Sequence, residues 1–233
     1  MITRTLAVVA LTATTACAET ILSAEYTAPS ERYAHGILGD AVEWGALEIT
    51  TDTGTHSFTL AQDRVFEDVA PRLVDLDGDG LPEVIVVETR VTEGAQLAVY
   101  DASGKVAATP HIGRTNRWLA PIGAADLDGD GKVEIAYIDR PHLAKTLRVW
   151  RYDNGALTLV ADLTGLTNHR IGEADIGGGI RDCGDGPEMI TANADWTRVM
   201  ATTLAGGQLS TRELGIHVDR GSFATALACA DLP

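Results

Sequence analysis

The sequence alternates short runs of apolar and β-branched residues with turns rich in Gly, Asn and Asp. No segment carries a persuasive apolar stripe at helical spacing. Residues 133–138 form a short β-rich run, 146–152 alternate with a period of two, and 156–160 follow an Asn-Gly turn. Such turns between alternating runs are typical of β-hairpins, because Asn and Gly accept the positive φ that tight turns need. With 118–126, these segments predict a unit of four antiparallel strands.

Similar units recur along the chain at intervals of about fifty residues. The aspartates Asp75, Asp126, Asp175 and Asp231 each follow an apolar segment and are separated by 51, 49 and 56 residues. Hairpin turns repeat at nearly the same interval, at residues 52–54, 101–104, 153–155 and 205–207. Four-stranded units of this length are typical of β-propeller blades, which bury their faces by stacking against neighbours.

The two ends of the chain predict how the propeller closes. Residues 33–38, 43–51 and 56–60 resemble three strands of a blade that lacks its first strand, and 222–231 resemble that missing strand. Joining them would leave no open sheet edge. We therefore predict an all-β fold with a single domain over 19–233. It is a small β-propeller of about four four-stranded blades, and the N- and C-terminal strands share the closing blade.

Two nine-residue acidic loops lie at equivalent positions of the repeat. Each has carboxylates at positions 1, 3, 5 and 9 and glycines at positions 4 and 6. These acids are Asp75, Asp77, Asp79 and Glu83 in the first loop and Asp126, Asp128, Asp130 and Glu134 in the second. Like charges this close repel one another, and oxygen donors on a flexible loop suit Ca²⁺. A solvated Asp-Gly turn is the alternative, but two such loops at equivalent positions favour an ion site.

The loops, their position between two strands and the fifty-residue period resemble FG-GAP repeats. These are the integrin-α-type propeller blades that also occur in bacterial VCBS-type proteins. The resemblance covers nearly all of 19–233, and it implies that calcium is held by the four acids and by the backbone carbonyl at loop position 7. The implied ligands are therefore Asp75, Asp77, Asp79, Leu81 and Glu83, then Asp126, Asp128, Asp130, Lys132 and Glu134.

A third copy of the loop, over 175–188, has lost the alternation of acids. We interpret it as a degenerate loop in which Cys183 replaces the ion as a staple, or in which Asp182 and Asp185 bind calcium weakly. Cys183 and Cys229 form either a disulfide or two separate buried thiols. The disulfide is favoured in an exported protein, because no reducing pool keeps the thiols apart there.

The N-terminus resembles a secretory signal peptide over 1–18. Arg4 precedes an apolar stretch at 6–13, and Ala16-Cys17-Ala18 follows as a small-residue cleavage site. The alternative is a lipid anchor on Cys17. Both predict export, to the periplasm or the outside of the cell. No segment approaches 18 consecutive apolar residues, so no transmembrane helix is predicted.

Charge and motifs limit the classes of function. The chain has 33 acidic and 18 basic residues, a net charge of −15, which argues against binding nucleic acid. No catalytic motif stands out among the serines, histidines and cysteines, so no catalytic residue is predicted. Outside the loops, the densest polar group is Tyr33, His35, Asp40 and Glu43, for which a structural role is favoured. The four tryptophans are interpreted as blade-packing residues.

Two functions remain. The favoured one is a non-catalytic, exported binding or scaffold module for a protein or a glycan. The other is a small periplasmic hydrolase or lyase with its site in the propeller funnel. The enzyme would need a carboxylate or histidine pair with shifted pKa values in that funnel. The oligomeric state is not predicted.

Overall fold

The computed structural model describes residues 19–233, so the predicted signal peptide and Cys17 lie outside the described residues. Within this range the protein forms antiparallel β-sheets and one short helix. The predicted all-β class is therefore confirmed. The sheets pack side by side in a propeller-like arrangement.

The N-terminal segment forms three strands, β1 (Ile21–Ser30), β2 (Glu43–Thr51) and β3 (Thr55–Thr59). Strand β2 pairs with both neighbours and meets the next sheet through a single bridge between Trp44 and Phe66. The predictions for β2 and β3 are confirmed. The strand predicted over 33–38 is wrong, because the chain over 32–40 forms turns and bends in which Gly36 and Gly39 have φ of 65° and 96°. Such backbone angles cannot continue a strand.

Three further sheets each have four strand positions. The first contains β4 (Arg64–Phe66), β5 (Arg72–Val74), β6 (Glu83–Arg90), β7 (Gly94–Asp101) and β8 (Gly104–Ala108). The second contains β9 (Leu119–Ala125), β10 (Glu134–Asp139), β11 (Thr146–Asp153) and β12 (Ala156–Thr164). The third contains β13 (Leu166–Thr167), β14 (Gly179–Asp182), β15 (Pro187–Asn193), β16 (Arg198–Ala205) and β17 (Gln208–Ile216). In the first and third sheets, two short strands share the first position because both pair with the second strand.

Each of these sheets is buried on both faces. In β10, Ile135 and Tyr137 pack towards the first sheet, whereas Ala136 and Ile138 pack towards the third. Consecutive strand residues point to opposite faces, so the period of two produces two apolar faces. Strand β9 contacts β14, and β12 contacts both β8 and β17. First strands therefore meet first strands, and last strands meet last strands, as in a propeller.

Different elements cover the two outer faces of this stack. On the first sheet, Val84 and Val86 pack against Leu47 and Ile49 of β2. On the third sheet, helix α1 (Gly221–Leu227) packs its Phe223 against the apolar residues of β15 and β16. The N-terminal strands and the helix thus shield faces that would otherwise meet water.

Helix α1 corrects the prediction for the end of the chain. Residues 222–231 form no strand, so within 19–233 the N- and C-terminal segments share no closing blade. The buried positions are Ser222, Phe223 and Ala226, which fall on one face of a helix rather than alternating. A stripe this short is hard to distinguish from a strand by periodicity.

A disulfide joins Cys183 and Cys229, whose Cα atoms are 5.8 Å apart. Cys183 follows β14, and Cys229 lies just after α1. The bridge therefore attaches the end of the helix to the sheet that it covers. Of the two arrangements left open by the sequence, the structure contains the disulfide.

Candidate functional sites

The two acidic loops connect β5 to β6 and β9 to β10, and they share three hydrogen bonds from backbone N–H groups to carboxylates. In the first loop, Asp75 accepts hydrogen bonds from the N–H groups of Gly78 and Gly80 at 2.8 and 3.0 Å. The N–H of Leu76 donates to Glu83 at 2.8 Å. The equivalent residues of the second loop repeat these three bonds at 2.8, 2.9 and 2.9 Å. The spacing of acids and glycines therefore produces the same local structure twice.

Three carboxylates converge in each loop. Single carboxylate oxygens lie within 4.8 Å of one another in two groups, Asp75 with Asp77 and Glu83, and Asp126 with Asp128 and Glu134. Every donor is a hard oxygen, which fits Ca²⁺. In the second loop, Oδ1 of Asp128 is buried and has no hydrogen-bond partner within 19–233. A bound cation would satisfy this atom.

The remaining predicted ligands lie outside these two groups. Oδ1 of Asp79 accepts from the N–H of Leu81 at 2.7 Å, and Oδ1 of Asp130 accepts from the N–H of Lys132 at 2.9 Å. The ammonium of Lys132 pairs with Asp153 at 2.7 Å on the surface. Calcium ligation stays a prediction for all ten residues, and Asp79, Asp130 and the two carbonyls lack the convergence that the other six acids show.

A guanidinium occupies the second loop. Arg151 contacts Asp128 at 2.9 Å, Asp130 at 2.8 Å and Glu134 at 2.6 Å. Strand pairing places Arg151 directly opposite Glu134. Burial raises the pKa of Glu134, and the positive charge of Arg151 opposes that shift. Arg151 therefore competes with any cation for the charge of the same carboxylates, although Oδ1 of Asp128 stays free of it.

The first loop has an acid where the second has Arg151. Tyr100 pairs with Val84, so the position opposite Glu83 is Asp101. A concavity of about 390 Å³ at this loop is lined by carboxylates and by no basic residue. The acids are Glu19, Asp77, Asp79, Glu83 and Asp101. Burial raises the pKa of Glu83, and the nearby charges of Asp77 and Asp79 raise it further.

Arg151 was not among the residues predicted to belong to either site. A signal was present, because Asp101 and Arg151 lie 50 residues apart, each on the second strand after its acidic loop. The register of that hairpin was needed to bring Arg151 opposite Glu134. Matching strand registers between repeats could have found it.

The third loop begins at Asp182 rather than Asp175, because Arg181 and Glu188 pair across its base. Asp182 accepts from two glycine N–H groups at 2.8 and 3.1 Å, as the first acid of the other loops does. Glu188 binds Arg181 at 2.8 Å and Arg212 at 2.6 Å, so its charge is compensated. Within the described chain, the groups of three metal-binding side chains lie in the first two loops. The interpretation of the third loop as degenerate agrees with this geometry.

The opposite end of the sheets contains a cavity of about 270 Å³. Leu119 pairs with Asp139, so the chain before β9 and the chain after β10 meet at this end, away from the acidic loop. The polar side chains that line the cavity are His35, Asn116, Arg117, Arg140 and His142. The apolar ones are Ile37, Trp118, Leu143 and Ile171.

A buried carboxylate holds His35 at the cavity. Nδ1 of His35 lies 2.5 Å from Oε1 of Glu67, and the hydroxyl of Thr89 donates to the other oxygen at 2.6 Å. Glu67 is fully buried, which raises its pKa. His35 belongs to the polar group noted in the sequence. Glu67 does not, because it is 32 residues away and has no motif around it.

Two further histidines meet beside this cavity. Nε2 of His169 donates to the backbone oxygen of Glu173 at 2.9 Å, so its Nδ1 accepts from Nε2 of His142 at 3.1 Å. Burial lowers the pKa of both, that of His142 to about 4. Both histidines are therefore neutral at neutral pH. A histidine pair with shifted pKa values is the feature that an enzyme would need here.

Trp118 and Trp150 are buried in the core between the first and second sheets, as predicted. Trp44 and Trp196 are half-buried and pack against other apolar clusters, Trp196 from the turn between β15 and β16. Trp118 has a second environment, because it also lines the cavity. Its indole N–H donates to the backbone oxygen of Glu67 at 2.8 Å, which fixes the ring.

Comparison with known proteins agrees with the predicted resemblance. Residues 75–137 match the family model of the FG-GAP-like repeat, and they include both acidic loops. The crystal structure of the exotype rhamnogalacturonan lyase YesX is similar, with a TM-score of 0.43 and 18% identity. That similarity covers 71% of this chain and 34% of the lyase chain, so this chain spans about a third of its length. No curated protein matches the chain.

Within residues 19–233, no helix is both long enough and apolar enough to cross a bilayer.

Glu43 is expected to make stability fall as pH rises. Burial, together with nearby Glu67 and Asp40, raises the pKa of Glu43 from 4.5 to about 9. Between these pH values the folded state keeps a proton that the unfolded state releases, so folding is penalised increasingly. Glu43→Gln should raise the free energy of unfolding at pH 8 by about 1–3 kcal/mol and change it little at pH 4.

Urea unfolding at pH 4, 6 and 8 measures this effect. Glu48→Gln, on the same strand and half-buried, is the matched control. Equal effects of Glu43→Gln at pH 4 and pH 8 would contradict the prediction.

Proposed function

We propose that this protein is an exported, propeller-type binding module that calcium stabilises. Its acidic loops bind Ca²⁺, and its opposite end binds a protein or a glycan without changing it chemically. The observation that carries the calcium proposal is the repetition of one structure at two places. Loops 51 residues apart make the same three hydrogen bonds and gather the same three carboxylates.

The proposed ligands follow from position in each loop. Asp75, Asp77 and Glu83 hold the first ion, and Asp126, Asp128 and Glu134 hold the second. Asp79 with the carbonyl of Leu81, and Asp130 with the carbonyl of Lys132, complete the two coordination shells. Oxygen donors in this number suit calcium, which accepts six to eight.

The role of the ions is structural. Each loop joins the first two strands of a sheet, at the end away from the cavity. A divalent cation there removes the repulsion between the converging carboxylates. An ion at about ten times its dissociation constant adds about 1.4 kcal/mol of stability per site.

Export is supported by two features. The predicted signal peptide over 1–18 addresses the chain for secretion, with a lipid anchor on Cys17 as the alternative. The disulfide between Cys183 and Cys229 suits an oxidising compartment. The same compartments supply calcium at the concentrations that extracellular modules need, about 10⁻⁴–10⁻³ M.

Two observations favour a second function, a small hydrolase or lyase. The pair of His142 and His169 beside the cavity has lowered pKa values. The Glu67 carboxylate orients His35 at the cavity, which is the arrangement of a general base. A turnover assay on esters and on neutral and acidic glycans distinguishes the two functions. We expect binding without turnover. Reproducible turnover that is lost in His35→Gln, with the fold intact by circular dichroism, would replace the binding module by the enzyme.

Calcium should raise the melting temperature. Asp77→Asn is expected to remove most of the difference in melting temperature between excess calcium and a chelator. It removes a proposed ligand from the first loop, where no arginine competes with the ion. Asp128→Asn should remove a smaller part. Differential scanning calorimetry measures the shift, and Asp231→Asn, an exposed acid outside the loops, is the control. The proposal would be contradicted if the melting temperature of the wild-type protein were the same in excess calcium and in chelator.

Arg151 should weaken calcium binding at the second loop. Arg151→Gln is expected to destabilise the calcium-free protein, because three carboxylates lose their counter-charge. The same change should enlarge the stabilisation by calcium, since the competing cation is gone. Arg148→Gln is the matched control. Arg148 lies on the same strand as Arg151, but it contacts Asp139, at the end of the sheet away from the acidic loop. Thermal shifts across a calcium titration test this; a smaller calcium effect in Arg151→Gln would be the opposite result.

A further inference from the structure

We propose that the cavity opposite the acidic loops binds a small hydroxylated carboxylate. Arg117 is the ionic partner of the carboxylate, and His35 accepts a hydrogen bond from a hydroxyl group. The proposal rests on the proposed binding function and gives it a site and a ligand class.

The charge at the cavity favours an anionic ligand. The chain has 33 acidic and 18 basic residues, yet no acid lines this cavity. Arg117 forms no ion pair within 19–233, and its side chain donates only to the neighbouring carbonyl of Asn116, at 2.7 Å. A guanidinium at a cavity wall, without an acid of its own, is a ready partner for a carboxylate.

Arg140 adds to this field. Asp139 holds it through two contacts of 2.8 and 2.9 Å. Asp139 also lies 3.1 Å from Arg148, so two guanidinium groups share one carboxylate. This cluster keeps a net positive charge beside the cavity, which favours an anionic ligand over a neutral one.

The cavity also offers hydrogen-bond acceptors. Nδ1 of His35 donates its hydrogen bond to Glu67, and Nε2 has no hydrogen-bond partner within the described chain. Nε2 of His142 donates to His169, which leaves Nδ1 of His142 as an acceptor. Two imidazole acceptors at one cavity match ligand hydroxyl groups, which donate hydrogen bonds.

The size and lining of the cavity favour a small ligand. At about 270 Å³, the cavity lies just below the 300–1,000 Å³ typical of ligand sites, so it suits a single small ring or a short chain. Trp118 forms part of its apolar lining. Leu143 and Ile171, 63% and 69% exposed, lie at its rim. A sugar acid or a hydroxy acid has such an apolar face beside a polar edge.

Isothermal titration calorimetry of the full chain in calcium-containing, low-salt buffer tests the proposal. The probes are sodium galacturonate, sodium lactate and uncharged galactose. We expect at least one acid to bind in the millimolar range or tighter, and galactose to bind at least about tenfold more weakly. Binding of galacturonate alone identifies a sugar acid, whereas binding of lactate identifies a free hydroxy acid.

The variants assign the contact. Arg117→Ala should weaken acid binding by about 10- to 100-fold, and Arg117→Lys should recover part of it. Arg114→Ala, an exposed arginine of the same loop, should leave binding unchanged. Circular dichroism and the melting temperature verify that each variant is folded.

Three outcomes would overturn the proposal: neither acid binds, galactose binds as tightly as the acids, or Arg117→Ala binds as well as the wild type. These failures are separable from failure of the proposed function. A protein or glycan partner that binds the wild type and Arg117→Ala equally would keep the binding module and move its site elsewhere.

Discussion

The fold depends on the burial of both faces of every central sheet. In β6, β10 and β15, successive apolar side chains point to opposite sides, so neither face tolerates water. Exposing apolar surface costs about 25 cal/mol per Å². The sheets must therefore stack, and the stack must be covered at both ends. Strands β1–β3 cover one end and α1 covers the other, held by the Cys183–Cys229 disulfide.

The same stacking separates two sites of opposite charge. Connections in an antiparallel sheet alternate between its ends, so the acidic loops lie at one end and the cavity at the other. Strand β10 shows this directly, because it begins with Glu134 of the second loop and ends with Asp139, which holds Arg140. Strand β6 likewise begins with Glu83 and contains Thr89, which binds Glu67. The acidic loops and the cavity are thus joined through the same strands.

The acidic loops were predicted residue by residue because their structure is local. Asp75 meets the N–H groups of residues three and five positions away, and glycines supply the positive φ that the loop needs. The strands were predictable for a similar reason, since alternation and hairpin turns act over a few residues. Strands were wrongly predicted where local signals were weak, at the turns over 33–38 and at α1. In such short segments, the few buried residues fit the period of a strand as well as that of a helix or turn.

By itself, the sequence determined the all-β class, the fifty-residue repeat and the two acidic loops, since each follows from spacing along the chain. Only the tertiary structure decided which charges meet. The pairs His35–Glu67 and His142–His169 join residues 32 and 27 positions apart, and Arg151 reaches the second loop from the next strand. Strand register and sheet stacking create these contacts, because backbone pairing brings distant side chains together without any local sequence pattern.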